Sequence, residues 1–228
     1  MLILLVKRHL YKRCSKKFKG GCSVSDIGAD LRVVRTKEAI KTAFIELAEE
    51  KGFEATSVKD ITTKAMINRG TFYSHYQDKY DLMTKCEEEL VKELENKIIQ
   101  KMPLVIANME TNNSDTLPFA LLVPFFAFLQ QNKRLVRILL GPKGDLSFHT
   151  KLKILMTNAL FQGTSRPIIN EEHLLVPREY FVSYVSSAHL GVIQEWVHSD
   201  RAEPPEEIAR IIATMTINGP FFAAGLKK

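Results

Sequence analysis

Residues 56–79 read TSVKDITTKAMINRGTFYSHYQDK. Ser57 followed three residues later by Asp60 has the form of a capping box at a helix start. Val58, Ile61 and Ala65 recur at helical spacing and are expected to face inward, leaving Thr62, Thr63 and Lys64 outside. Ile67 packs the turn that follows, and Asn68 caps a third, short helix over residues 69–76. Asp78 opens a fourth helix. Two short helices joined by a tight turn, the second polar, basic and aromatic, have the form of a helix-turn-helix whose second helix enters the DNA major groove.

Working outward, residues 36–52 predict a first helix. Thr36 is its expected N-cap. Ala39, Ile40, Ala43, Phe44, Leu47 and Ala48 make one apolar stripe, and Gly52 ends it. Downstream, the fourth helix is expected to run to about residue 101, with Pro103 as a break. Further helices are expected near 115–131, 133–140, 146–162, 178–199 and 205–218, separated by Asn132, Gly141-Pro142, residues 163–167, Pro177 and Pro204-Pro205. Pro124 should kink the fifth. No alternating strand pattern appears. The expected class is all-α: a three-helix reader over residues 31–79 and a helical bundle over residues 80–228, preceded by a basic tail of residues 1–30.

The 228 residues carry a net charge of +6, unevenly spread. Residues 1–79 hold 16 Lys and Arg against 9 Asp and Glu, leaving 16 against 17 for the remainder. The basic excess sits where phosphate neutralisation would need it, although a merely solvated N-terminus has the same composition. Cys14, Cys22 and Cys86 form no CxxC, and with His9 they match no usual zinc spacing, so no metal is expected. No cofactor motif is present, and G-x-S-x-G, P-loop and HExxH are all missing, which argues against an enzyme. The apolar start, residues 1–6, precedes its basic residues, the reverse of a secretory signal. Residues 117–129 are too short for a membrane span. A cytoplasmic protein is expected.

The chemistry of the reader follows from the shortness of its third helix, whose exposed residues can nearly all reach DNA. The helix start suits a phosphate. Arg69 can bridge to phosphate or read guanine edges. Gly70 lets backbone come close. Thr71 and Ser74 can contact bases or phosphates, and Tyr73, His75 and Tyr76 offer donors beside apolar bodies. Phe72 is core by its need to pack on the first helix, Tyr76 is either core or contact, and His75 either contact or bystander. Lys79 can clamp the far phosphate, while Thr63 and Lys64 point toward flanking backbone. The expected DNA-facing set is Ser57, Thr63, Lys64, Asn68, Arg69, Gly70, Thr71, Tyr73, Ser74, His75, Tyr76 and Lys79.

Through AFIELAEEKGFEATSVKDIT, NRGTFYSHYQDK and YDLM the chain resembles the tetracycline-repressor (TetR/AcrR) family of transcriptional regulators. The resemblance is specific over about 50 residues and extends in outline to the remainder. It implies an all-helical homodimer with three reading helices, a long linking helix and a ligand-binding, dimerising C-terminal domain. It also implies that the positions of Thr63, Lys64, Arg69, Gly70, Thr71, Tyr73, His75 and Lys79 touch operator DNA, mostly at phosphates. The family often has Gly in the turn where this chain has Met66, which implies some turn strain. The basic tail is longer than the family usually carries.

RLVRILLGPKGDLSFHTKLK, residues 134–153, resembles a C-terminal type found in a subset of these regulators. By the same resemblance the last two helices, with Tyr180, Phe181, Tyr184, Val185, Ala188, Val192, Trp196, Ile208, Ile211, Ile212 and Met215, would pair with a second copy. Residues 220–226 are too apolar to be left in water. Arg137, His149, Tyr184, His189 and Trp196 are the expected polar liners of a pocket, and the Phe-rich fifth helix suits a small hydrophobic effector or a packed core. The function implied is a dimeric, ligand-responsive repressor on a palindromic operator; the alternative is a coactivator or adaptor that keeps the fold and binds a partner protein.

Overall fold

The computed structural model describes residues 24–110, 117–141, 146–162, 168–199 and 203–225. All regular structure among them is helical. Helix α1 (Val24–Lys51), α2 (Val58–Lys64) and α3 (Arg69–Tyr73) build the reader. The long α4 (Lys79–Glu110) leads to α5 (Leu117–Gln131), α6 (Lys133–Leu139), α7 (Leu146–Phe161), α8 (Arg178–His198), α9 (Pro205–Ile217) and the single turn α10 (Pro220–Ala223). The late helices lie within a residue or two of the expected positions.

Three boundaries differ from expectation. Helix α1 begins at Val24, inside the stretch expected to be tail. Thr36 is therefore no N-cap; its hydroxyl donates back to the Arg32 carbonyl at 2.8 Å, a bond open to a threonine inside a helix. Residues 1–23, with Cys14, Cys22 and His9, lie outside the described residues. Helix α4 runs on through Pro103 to Glu110, so that proline ends nothing. Helix α3 stops at Tyr73, with Ser74 as its C-cap.

One apolar core runs through the described helices. Ile40, Ala43 and Phe44 of α1 meet Ile61 of α2 and Phe72 of α3, and Leu82, Cys86, Leu90 and Leu94 carry the stripe along α4. Burial pushes the Cys86 thiol up to about 12, so it packs as a small hydrophobe rather than reacting as a thiolate. Phe126, Phe128 and Leu129 of α5 join α4 to Ile208 and Ile212 of α9. Thr62, expected outside, is 4% exposed, with its hydroxyl on the Lys59 carbonyl at 3.1 Å.

Polar links tie α1 and α4 to the later helices. Glu49 of α1 accepts from the Arg134 Nε of α6 at 2.7 Å. Glu87 of α4, 1% exposed, takes the Lys151 ammonium at 2.7 Å and the Ser147 hydroxyl at 3.0 Å, both from α7. Glu87 follows Met83 by four residues and precedes Leu90 by three. It therefore occupies the core stripe of α4, and its charge is tolerated because two partners meet it. Among the described residues no helix is long and apolar enough to cross a membrane.

Candidate DNA interface and effector cavity

The reader is assembled by local bonds. Ser57 Oγ accepts from the Asp60 N–H at 3.2 Å, and the Ser57 N–H donates to Asp60 Oδ2 at 3.0 Å, completing the capping box. The Lys51 ammonium donates to the same carboxylate at 2.7 Å. These bonds, the lysine's first, hold the Asp60 carboxyl far below the usual carboxylate range. The turn closes through the Ile67 N–H to the Thr62 carbonyl at 3.0 Å. It forces Met66 to φ 53°, the left-handed region that a side chain resists. The strain expected from a methionine in the usual glycine place is thus present, and the Met66 side chain is 92% exposed. Asn68 Oδ1 accepts from the Thr71 N–H at 2.7 Å and its hydroxyl at 2.9 Å, starting α3.

These bonds divide the twelve expected DNA-facing residues. Ser57 and Asn68 are spent on caps, and the Thr71 hydroxyl is spent on Asn68. Lys64 does not reach outward: its ammonium lies between Glu46, at 3.2 Å, and Glu50, which raise its pKa. Lys79 folds back, donating to the carbonyls of Phe53 at 3.1 Å and Glu54 at 2.9 Å, with its ammonium 4.7 Å from the Phe53 ring centroid. Tyr76 is core, buried at 6% exposure against Phe72; of the two roles open to it, contact is the one the structure removes. Burial also lifts its phenol above the ordinary range.

The remaining residues stand outside. Thr63, Arg69, Gly70, Tyr73 and Ser74 are exposed and His75 is half-buried. Phe72, wholly buried, anchors α3 from beneath, as its expected core role requires. Gly70 is informative because the fold does not need it. A Cβ there would meet only Asn68 Oδ1, at an ordinary 3.4 Å, and its φ is not positive. A glycine inside a helix costs about 0.5–1 kcal/mol relative to alanine, and no close approach of another described residue offsets that. Met66, adjoining this face, was not among the expected contacts; its exposure follows from the turn conformation, which the sequence pattern does not show.

Between α4, α5, α7, α8 and α9 lies a cavity of about 470 Å³. Its wall is predominantly apolar, with Ile98, Phe125, Leu155, Met156, Phe181 and Ile193 contributing. Of the five expected liners, His149 and His189 line it. The other three do not. Tyr184 is 64% exposed on the outer face of α8. Arg137 Nε donates to the Val197 carbonyl at 2.8 Å, fastening α6 to α8. Trp196 is buried, its indole N–H on the Glu203 carbonyl at 3.1 Å and its ring edge-on to Phe126 at 5.4 Å.

His189 Nε2 lies 2.8 Å from the Thr216 hydroxyl, and burial lowers its pKa, which keeps the ring neutral. Sequence reasoning missed Ser186, although Ser186, His189 and Ile193 follow one another at i, i+3 and i+7, one helix face. Missed also was Gln194, whose amide approaches His149 from the same helix. Among the described residues no cluster of His, Cys, Asp and Glu is arranged to hold a metal ion.

Comparison with known proteins agrees with this geometry. Residues 40–86 match the family described as bacterial regulatory proteins, tetR family, and residues 118–218 match a transcriptional regulator C-terminal region of the same family. An uncharacterized HTH-type transcriptional regulator, YxbF of Bacillus subtilis, is 28% identical over 185 residues, 79% of this chain. The chain spans only 44% of the length of that curated relative. A TetR transcriptional regulator of Streptococcus agalactiae has the same fold, with a TM-score of 0.57 at 23% identity, covering 83% of this chain and 97% of that one. SmeT of Stenotrophomonas maltophilia, the repressor of the multidrug efflux pump SmeDEF, superposes with a TM-score of 0.56 at 16% identity over 81% of this chain and 91% of its own. The matched families and relatives are transcriptional regulators rather than enzymes. With its two family matches covering more than half of its length between them, the chain belongs to the TetR family of DNA-binding transcriptional regulators.

Proposed function

We propose that the chain works in the cytoplasm as a homodimeric repressor on a palindromic operator, released by a small apolar effector in the cavity. The observation that carries the DNA-reading part is α3. Its buried Phe72 fixes the helix, while Arg69, Gly70 and Tyr73 are presented outward with no structural need for the first two. Arg69 makes no hydrogen bond or ion pair among the described residues, so its guanidinium is available to phosphate or guanine. Lys64 and Lys79 serve the reader by fixing α2 and the loop before it, with Thr63, Ser74 and His75 at the contact edge.

Dimerisation is supported by the outer face of α8 and the chain end. Tyr180 is 74% and Tyr184 64% exposed one turn apart, and Phe221 of α10 is 61% exposed. Such surfaces are unfavourable in water and suit a second copy. The two α3 helices of a dimer must sit about 34–36 Å apart to enter successive major grooves. An effector that prefers another spacing weakens DNA binding by its differential affinity for the two states. The cavity favours this reading over a protein-binding adaptor, which needs an exposed groove instead.

Footprinting of the full chain on DNA flanking its own gene tests the proposal. The expected result is a protected palindrome. Arg69→Ala should weaken protection and lower its salt dependence, and Gly70→Ala should weaken it without loss of stability. Unchanged protection in both variants would remove α3 from the interface.

A further inference from the structure

The polar groups around the cavity are mostly spent. The Ser186 hydroxyl donates to the Val182 carbonyl at 2.6 Å, and His189 and Thr216 satisfy one another. Helix α7 is different. The Gln194 amide nitrogen lies 3.4 Å from the Leu140 carbonyl and 3.2 Å from His149 Nε2. An amide N–H₂ only donates, so His149 Nε2 accepts and the ring proton sits on Nδ1. That Nδ1 is buried and has no hydrogen-bond partner among the described residues. One helical turn on, Lys153 also lines the cavity yet is exposed, so the cavity reaches the surface there. Its ammonium has no carboxylate partner among the described residues. The neighbouring Lys151 is already held by Glu87. One face of α7 thus carries two unspent donors, one of them a full charge, beside a predominantly apolar space.

From this arrangement we infer that the cavity takes an apolar molecule ending in a carboxylate, its tail against Phe125, Met156 and Ile193 and its head at Lys153 and His149. This rests on the regulator reading and names the chemistry of its effector. The apolar wall supplies the drive for the tail. A carboxylate at an exposed lysine keeps most of its hydration, so burial does not oppose it. Among the described residues no carboxylate lines the wall to favour a cationic head.

Trp196 reports on the cavity, since it is the one tryptophan in the chain and its ring meets Phe126, itself a lining residue. Its fluorescence is followed in the full chain during titration with decanoate, methyl decanoate and decylamine, each below its aggregation concentration. Decanoate is expected to bind at least about tenfold tighter than the ester, with decylamine weakest. Lys153→Glu, at an exposed position, should reverse the order of decanoate and decylamine. Equal binding of acid and ester, or an unchanged order in Lys153→Glu, would overturn the proposal. Footprinting with decanoate present separates the two readings. Binding without operator release leaves the carboxylate site standing and sinks the ligand-responsive repressor. Operator release by the ester alone sinks the carboxylate.

Discussion

Helix α3 and the wall of α7 to α9 treat their unused polar groups in opposite ways. In α3 the groups that the fold does not need, Arg69 and the bare backbone of Gly70, face water over a packed ring. In the effector half the unspent groups border an internal space, and the packed rings lie behind them. A surface that reads a polymer has to be rigid from beneath. A surface that takes a small molecule has to leave volume unfilled, and that volume is stability forgone. The two regions should therefore answer differently to the same kind of damage.

The largest effect expected is from Phe72→Ala. Phe72 is the wholly buried residue of the five-residue α3 and touches Tyr73 and Tyr76 ring to ring. Truncation should cost about 3–5 kcal/mol, unfold the reader and abolish footprinting. Phe125→Ala removes a ring that already borders open space, so less packing is lost, and it should cost less than half as much in urea denaturation. Equal losses would mean that the cavity is closed up in solution, and the contrast between the halves would fall.

The second effect concerns the pin between α4 and α7. Lys151→Ala leaves the Glu87 carboxylate buried with only Ser147 beside it. Removing one member of a fully buried pair is more damaging, but the Lys151 side chain is 32% exposed, so about 1–3 kcal/mol is expected. Lys151→Met/Glu87→Met, which removes both charges, should recover much of that loss in the same denaturation experiment. No recovery in the double variant would show that Glu87 is not held by this pair.

The reader was legible in the sequence because its signals are local. Ser57 with Asp60, Asn68 before α3 and Gly52 after α1 each act within four residues, and all three behave as the pattern says. The departures of Lys64 and Lys79 share one cause. Lys64 finds Glu46 and Glu50, and Lys79 finds the carbonyls of Phe53 and Glu54, across 14 to 26 positions of sequence. Period and spacing carry no information about such partners. The cavity was less legible for the same reason, since five helices contribute to it. His149 and His189 were foreseeable as polar residues in apolar helices, whereas Trp196 and Arg137 have the same local appearance and face elsewhere.

A smaller effect tests the local bonds directly. Ser57→Ala removes the N-cap of α2 and should cost about 1 kcal/mol. It should also change the acid limb of stability. The Asp60 carboxyl is depressed by Lys51 and Ser57 below its ordinary value of 3.8. Its contribution is therefore complete well above that value and is lost as the pH falls through and below it. Wild type should lose stability steeply across that range and Ser57→Ala less steeply, while a lysine-free Lys51→Met variant should flatten the slope most. Parallel acid limbs in all three would assign acid sensitivity to the effector half instead.

The smallest effect runs toward stability. Met66 sits at φ 53° with its side chain 92% exposed, so it contributes strain and almost no packing. Left-handed backbone costs a side-chain-bearing residue about 1–2 kcal/mol, and glycine returns about 0.5–1 kcal/mol of that as unfolded-chain entropy. Met66→Gly should therefore stabilise the chain by up to about 1 kcal/mol, read as a higher urea midpoint with an unchanged slope. Because the turn already has the glycine conformation, the angle between α2 and α3 should not move, and the footprint of the variant should match wild type. A weaker footprint in a more stable protein would show that the Met66 side chain itself belongs to the DNA-facing surface, joining the outward-facing group of Arg69 and Gly70 rather than the scaffold beneath it.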